Sequence, residues 1–131
     1  MAYFLFIIVI TNINYDKYMK LLLVDDNKNF TKLLKLSLES KHYNIDTADN
    51  GSSALNKMKQ AVFDWVISDI NMGVLNGIEL SKKIRSEYPL TKIILMTAFK
   101  SPGEIAELNI EAFLEKPVHA EDLLKIINNN K

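Results

Sequence analysis

Cysteine is absent from this chain of 131 residues, which excludes disulfides, thiol nucleophiles and thiolate-held metals together. Histidine is almost as scarce. His42 and His119 are the only two, too few for a histidine-rich metal centre, so any metal here must be held by oxygen. Net charge is missing as well: sixteen basic and sixteen acidic residues cancel, leaving no global field to gather nucleic acid or an anionic membrane. Nor is there a long hydrophobic run. The most apolar stretch, Ala2 to Ile10, would reach only ~14 Å as a helix against a bilayer core of ~30 Å, so no membrane span is expected. It also lacks the basic segment and small-residue cleavage site of an export signal. Residues 1–18 are read as an extension from a misassigned start ahead of Met19, in preference to a functional anchor or an added apolar strand. Residues 19–131 then form one domain, long enough to bury a core without staples.

From Lys20 onward, short apolar runs alternate with turns and amphipathic segments, the rhythm of βαβ units and a parallel sheet. The expected strands are Leu21–Val24, Tyr43–Ala48, Phe63–Asp69, Ile93–Thr97 and Ala112–Glu115. Between and after them come five helices. The first covers Asn29 to Ser40, with Phe30, Leu33, Leu34 and Leu38 on one inward stripe. The second carries Ala54, Leu55 and Met58, and the third carries Ile78, Leu80 and Ile84 and is stopped at Tyr88-Pro89. A short fourth starts at Ser101-Pro102, with Ser as N-cap and Pro at the first helical position. The last runs from Glu121 to Asn128, with Leu123, Leu124 and Ile127 inward.

The stretch Trp65 to Met72 ends a buried run in a lone carboxylate, Asp69. Taken alone, Asp69 reads as a turn cap. Parallel strands, however, bring all their C-terminal ends to one rim, where ligands bind in open α/β sheets. Along that rim stand Asp25 and Asp26, Asp69, Thr97 and Lys116. Three carboxylates in one crevice repel unless a cation sits among them, and with oxygen ligands only, Mg²⁺ is the natural ion. A hydroxyl and an ammonium opposite a carboxylate then make a site for a tetrahedral anion, with Asp69 as nucleophile in phosphoryl transfer.

In order, Leu22-Leu23-Val24-Asp25-Asp26-Asn27, the Ala48–Leu55 turn and helix, Phe63-Asp64 through Asp69-Ile70-Asn71-Met72 with Gly77 beyond, Met96-Thr97-Ala98 and Phe113-Leu114-Glu115-Lys116-Pro117 resemble the receiver domain of two-component response regulators, of the stand-alone type. The resemblance implies a doubly wound, flavodoxin-like (βα)5 fold with a five-stranded parallel sheet in the order 2-1-3-4-5. It implies that Asp69 accepts a phosphoryl group from a sensor histidine kinase or histidine phosphotransfer protein. Asp26, Asp69 and the backbone carbonyl of Asn71 would hold Mg²⁺, with Asp25 acting partly through water. It further implies a cis Lys116-Pro117 bond, a switch in which Thr97 moves toward the phosphoryl group and Phe113 follows, and Asn71 and Phe99 as positions that tune loss of the group to water. The switch would bias the surface of the fourth helix, fifth strand and fifth helix toward an unknown protein target.

Bland readings stand beside these: Thr97 as an ordinary strand residue, Lys116 as a surface lysine, Phe113 as plain core and Asp25-Asp26 as a helix cap. His42 and His119 are given no role. Two departures from the family pattern stand out. Gly73 replaces a common proline, and the step from Thr97 to Phe113 is short, costing the fourth helix nearly a turn. Asn109, near the usual glycine before the last strand, is expected to be left-handed. The expected function is a cytoplasmic phosphoacceptor response regulator, not an enzyme, with no DNA-binding domain read in the chain. The alternative is a receiver-like interaction module that signals by docking, without phosphorylation.

Overall fold

The computed structural model describes residues 18–98 and 103–130. The apolar stretch Ala2–Ile10, Phe99 and Ser101-Pro102 therefore lie outside the described residues. Five parallel strands, β1 (Lys20–Val24), β2 (Asn44–Ala48), β3 (Trp65–Asp69), β4 (Lys92–Thr97) and β5 (Ala112–Glu115), form one sheet in the order β2-β1-β3-β4-β5. The expected order is thus observed. Four α-helices accompany them: α1 (Lys28–Glu39), α2 (Gly51–Gln60), α3 (Gly77–Glu87) and α4 (Ala120–Asn129).

Strand residues alternate between two cores, as a period of two requires. Leu22, Val24, Val66, Ile93 and Leu95 pack with Ala54 and Met58 of α2 and Ile78, Leu80 and Ile84 of α3. On the other face Leu21, Leu23, Trp65, Ile67, Ile94 and Met96 pack with Leu34 and Leu38 of α1 and Leu123 and Ile127 of α4. β1, β3 and β4 are covered on both faces, which is why their sequences read as continuous apolar runs.

Three expectations need correction. Leu33 is not inward: it is 68% exposed, because an open groove separates its side of α1 from the start of α4. Between β4 and β5 the described residues form a 3₁₀ segment, Gly103–Glu107, in place of an α-helix, in keeping with the short step from Thr97 to Phe113. Asn109 is not left-handed. Among the described non-glycine residues only His42 has positive φ, 70°, in the turn after α1. Asn109 instead offers its carbonyl to Arg85 Nε at 2.8 Å. Arg85 also donates to the carbonyls of Pro89 and Thr91 and to the Glu111 carboxylate, so one side chain ties α3 to both β4 and the approach to β5.

Candidate functional site

Each rim residue is delivered by a strand end. Asp25 follows β1 and its N–H donates to the Ala48 carbonyl at 3.1 Å, while Asp69 and Thr97 are the last residues of β3 and β4. Lys116 follows β5, and its N–H donates to the Thr97 carbonyl at 2.7 Å. Beneath them, the loop after β3 folds back so closely that a Cβ on Gly77 would lie 2.3 Å from the Asp69 carbonyl oxygen. Only glycine fits there. Gly73, in the same loop, has φ 40°, a conformation closed to the proline common at that place.

The structure brings Asp25, Asp26, Asp69 and Lys116 together and sets Thr97 at the end of the neighbouring strand. One carboxylate oxygen from each of Asp25, Asp26 and Asp69 lies within 4.8 Å of the other two. Asp25 is buried and doubly engaged: Oδ1 accepts from the Asn27 N–H at 2.9 Å, and Oδ2 pairs with Lys116 Nζ at 2.6 Å. Asp26 is exposed, and among the described residues no hydrogen bond or ion pair engages it. Neither aspartate caps α1. Asn27 does, accepting from the Phe30 N–H at 3.1 Å.

Lys116 Nζ stands 3.5 Å from Asp69 Oδ1, and the Lys116-Pro117 bond is cis. Thr97 is buried, and its hydroxyl accepts from Asn71 Nδ2 at 3.2 Å. Among the described residues no N–H is bonded to the Asn71 carbonyl, so it remains available as a ligand. Phe113 is half-buried in β5 against the core shared by α2 and α3, against which Ile105 and Leu108 also pack. Two contacts were invisible in the sequence: the Asn71–Thr97 bond and the Phe30 ring, whose centroid lies 4.7 Å from Lys116 Nζ. Phe30 reads only as one more residue of a helical stripe.

The acid of Asp69 is pushed above its ordinary range. Removal from water is the largest cause, Lys116 opposes it, and the negative charges of Asp25 and Asp26 add to it. Three carboxylates face a single ammonium, and every free donor is oxygen, a set that fits Mg²⁺.

Residues 21–128 match the response regulator receiver domain family. The chain belongs to this family. Among similar solved structures, the receiver is 35% identical to the chemotaxis response regulator CheY4 of Vibrio cholerae, with TM-score 0.77 over 86% of this chain and 98% of that one. It is 33% identical to the response regulator TrrA of Thermotoga maritima, solved in complex with Mg²⁺-BeF, with TM-score 0.74 over 85% and 97%. The transcriptional regulatory protein GlrR of Escherichia coli is 36% identical over 112 residues, 83% of this chain but 25% of GlrR. The receiver spans from 20% to 52% of the length of such curated relatives.

Proposed function

We propose that this receiver domain is the phosphoacceptor of a two-component or phosphorelay system, taking a phosphoryl group onto Asp69 from a phosphohistidine of a sensor histidine kinase or histidine phosphotransfer protein. The observation that carries the reading is the meeting of Asp69 with Asp25, Asp26 and Lys116 at one strand rim, with Thr97 ending the neighbouring strand. An interaction module that signals only by docking has no need of this set.

In the reaction an Asp69 carboxylate oxygen attacks phosphorus while the P–N bond breaks. The electron pair of that bond returns to the imidazole, and Asp69 becomes an acyl phosphate. Lys116, already 3.5 Å from Asp69 Oδ1, balances the charge of the phosphoryl oxygens. The Thr97 hydroxyl, now held by Asn71, turns to donate to one of them. Asp26, Asp69 and the Asn71 carbonyl would hold Mg²⁺, with Asp25 acting partly through water. The ion supplies charge neutralisation at the phosphoryl oxygens.

The domain is a stoichiometric acceptor, with Asn71 and Phe99 setting the slow loss of the group to water. Movement of Thr97 and Phe113 carries the signal to the face made by the 3₁₀ segment, β5 and α4. The site of action is the cytoplasm; among the described residues no helix is long and apolar enough to cross a membrane. Residues 1–18 are read as an extension from a misassigned start ahead of Met19, and a native protein whose N-terminus is Met1 or Ala2 would overturn that reading. A panel of candidate kinases carrying labelled phosphohistidine tests the function. Label should move to the wild type and not to Asp69→Asn; transfer to Asp69→Asn at the wild-type rate would contradict it.

A further inference from the structure

Lys116 must hold one ammonium within reach of two carboxylates, yet it is a long, rotamer-rich side chain with open space beside it. A groove of about 530 Å³ between α1 and the start of α4 is lined by Phe30, Leu33, Lys116, Pro117 and Val118. The Lys116 side chain remains 20% exposed. Asp25 and Asp69 attract the ammonium from the pocket side, and the contact on the side of α1 is the Phe30 ring, 4.7 Å from Nζ to centroid.

We propose that Phe30 is a positioning residue for Lys116, holding its ammonium by a cation–π contact at the mouth of the acid pocket and out of the neighbouring groove. The backbone that carries the ring is tied to the pocket. Asp25 Oδ1 accepts from the Asn27 N–H at 2.9 Å, Asn27 Oδ1 accepts from the Phe30 N–H at 3.1 Å, Phe30 faces Lys116, and Lys116 returns to Asp25 Oδ2 at 2.6 Å. This closed circuit joins residues 91 apart in sequence. The negative face of an aromatic ring attracts an ammonium, whereas an aliphatic side chain of similar bulk fills the space without attracting it. Positioning and plain packing therefore make different predictions.

The inference rests on the phosphoacceptor reading, so the test has two readouts. Phe30→Leu and Phe30→Tyr are compared with the wild type for phosphoryl uptake from acetyl phosphate with Mg²⁺. They are also compared for the NMR signal of the Lys116 ε-methylene protons, assigned with Lys116→Arg. A ring-current displacement of that signal is expected in the wild type and in Phe30→Tyr and lost in Phe30→Leu. Uptake should fall about fivefold to tenfold in Phe30→Leu and be restored in Phe30→Tyr. An undisplaced wild-type signal, or uptake equal in all three proteins, would overturn the proposal, as would Phe30→Tyr failing as badly as Phe30→Leu. If Phe30→Leu does not fold, Phe30→Met takes its place. Should the wild type take up no phosphoryl group from acetyl phosphate or from phosphohistidine donors, the phosphoacceptor reading fails, and the Lys116 signal alone decides the positioning role.

Discussion

The two sides of the rim are held by different means. Around β1 and β3 the pocket is fixed by backbone and short side chains: Asp25 on the Asn27 N–H, Asn27 on the Phe30 N–H, and Gly77 pressed against the Asp69 carbonyl. Around β4 and β5 the connection is a 3₁₀ segment, β5 has only four residues, and Arg85 reaches across from α3 to secure the chain between them. The first side is built for constant geometry. On the proposed function, the second is the side through which a change at Thr97 would pass. Thr97 and Lys116 belong to this second side as well, so breaking each side in turn measures how far acceptor geometry and signal output can be separated.

The largest effect is expected at Gly77. A methyl group there would meet backbone at 2.3 Å, with no flexible side chain to give way. Gly77→Ala should cost about 3 kcal/mol of stability and displace Asp69. Urea unfolding with full stability retained would contradict the close approach. Next comes Arg85→Ala, which strips the Asn109, Pro89 and Thr91 carbonyls of this donor and leaves Glu111 only the Ile93 N–H, at a partly exposed site, for a loss of about 2 kcal/mol. Amide exchange should quicken in β5, while uptake from acetyl phosphate changes by less than about twofold. A large loss of uptake would merge the two sides into one unit.

The smallest expected effect concerns Asp69 itself. Its native pKa lies above that of the unfolded chain, so the native state keeps a proton that the unfolded state releases. Without metal, its stabilising contribution is therefore full below the ordinary carboxylate range and is lost as pH rises through the raised native value. Asp69→Asn escapes that loss. In EDTA at neutral pH the variant should melt higher than the wild type, and the gap should close in acid. Equal melting at neutral pH would contradict the electrostatic account.

The same division governs what could be read from the chain. Strand ends and their carboxylates were legible because Leu21–Val24 and Trp65–Asp69 are continuous apolar runs that stop at acids, and a parallel sheet leaves those acids nowhere but the shared rim. The family resemblance located Asn71, Phe113 and the cis Lys116-Pro117 bond, and the structure bears out the bond. Leu33 was misread because periodicity marks the inward stripe of α1 without showing that α4 stops short of its edge. Asn109 was misread, and the left-handed His42 carried no signal, because a left-handed turn depends on how the flanking elements meet, not on residue type alone. The roles of Arg85 and Phe30 carried no signal, since the Arg85 partners Asn109 and Glu111 lie 24 and 26 residues away and the Phe30 partner lies across the fold.

The most direct test of the central claim is intact mass after incubation with acetyl phosphate and Mg²⁺. The wild type should gain one phosphoryl mass, lose it on treatment that hydrolyses acyl phosphates, and gain nothing when EDTA is present. Asp69→Asn should gain nothing under any condition. Uptake by Asp69→Asn at the wild-type rate, or no uptake by the wild type from either acetyl phosphate or phosphohistidine donors, would contradict the assignment of Asp69 as the acceptor.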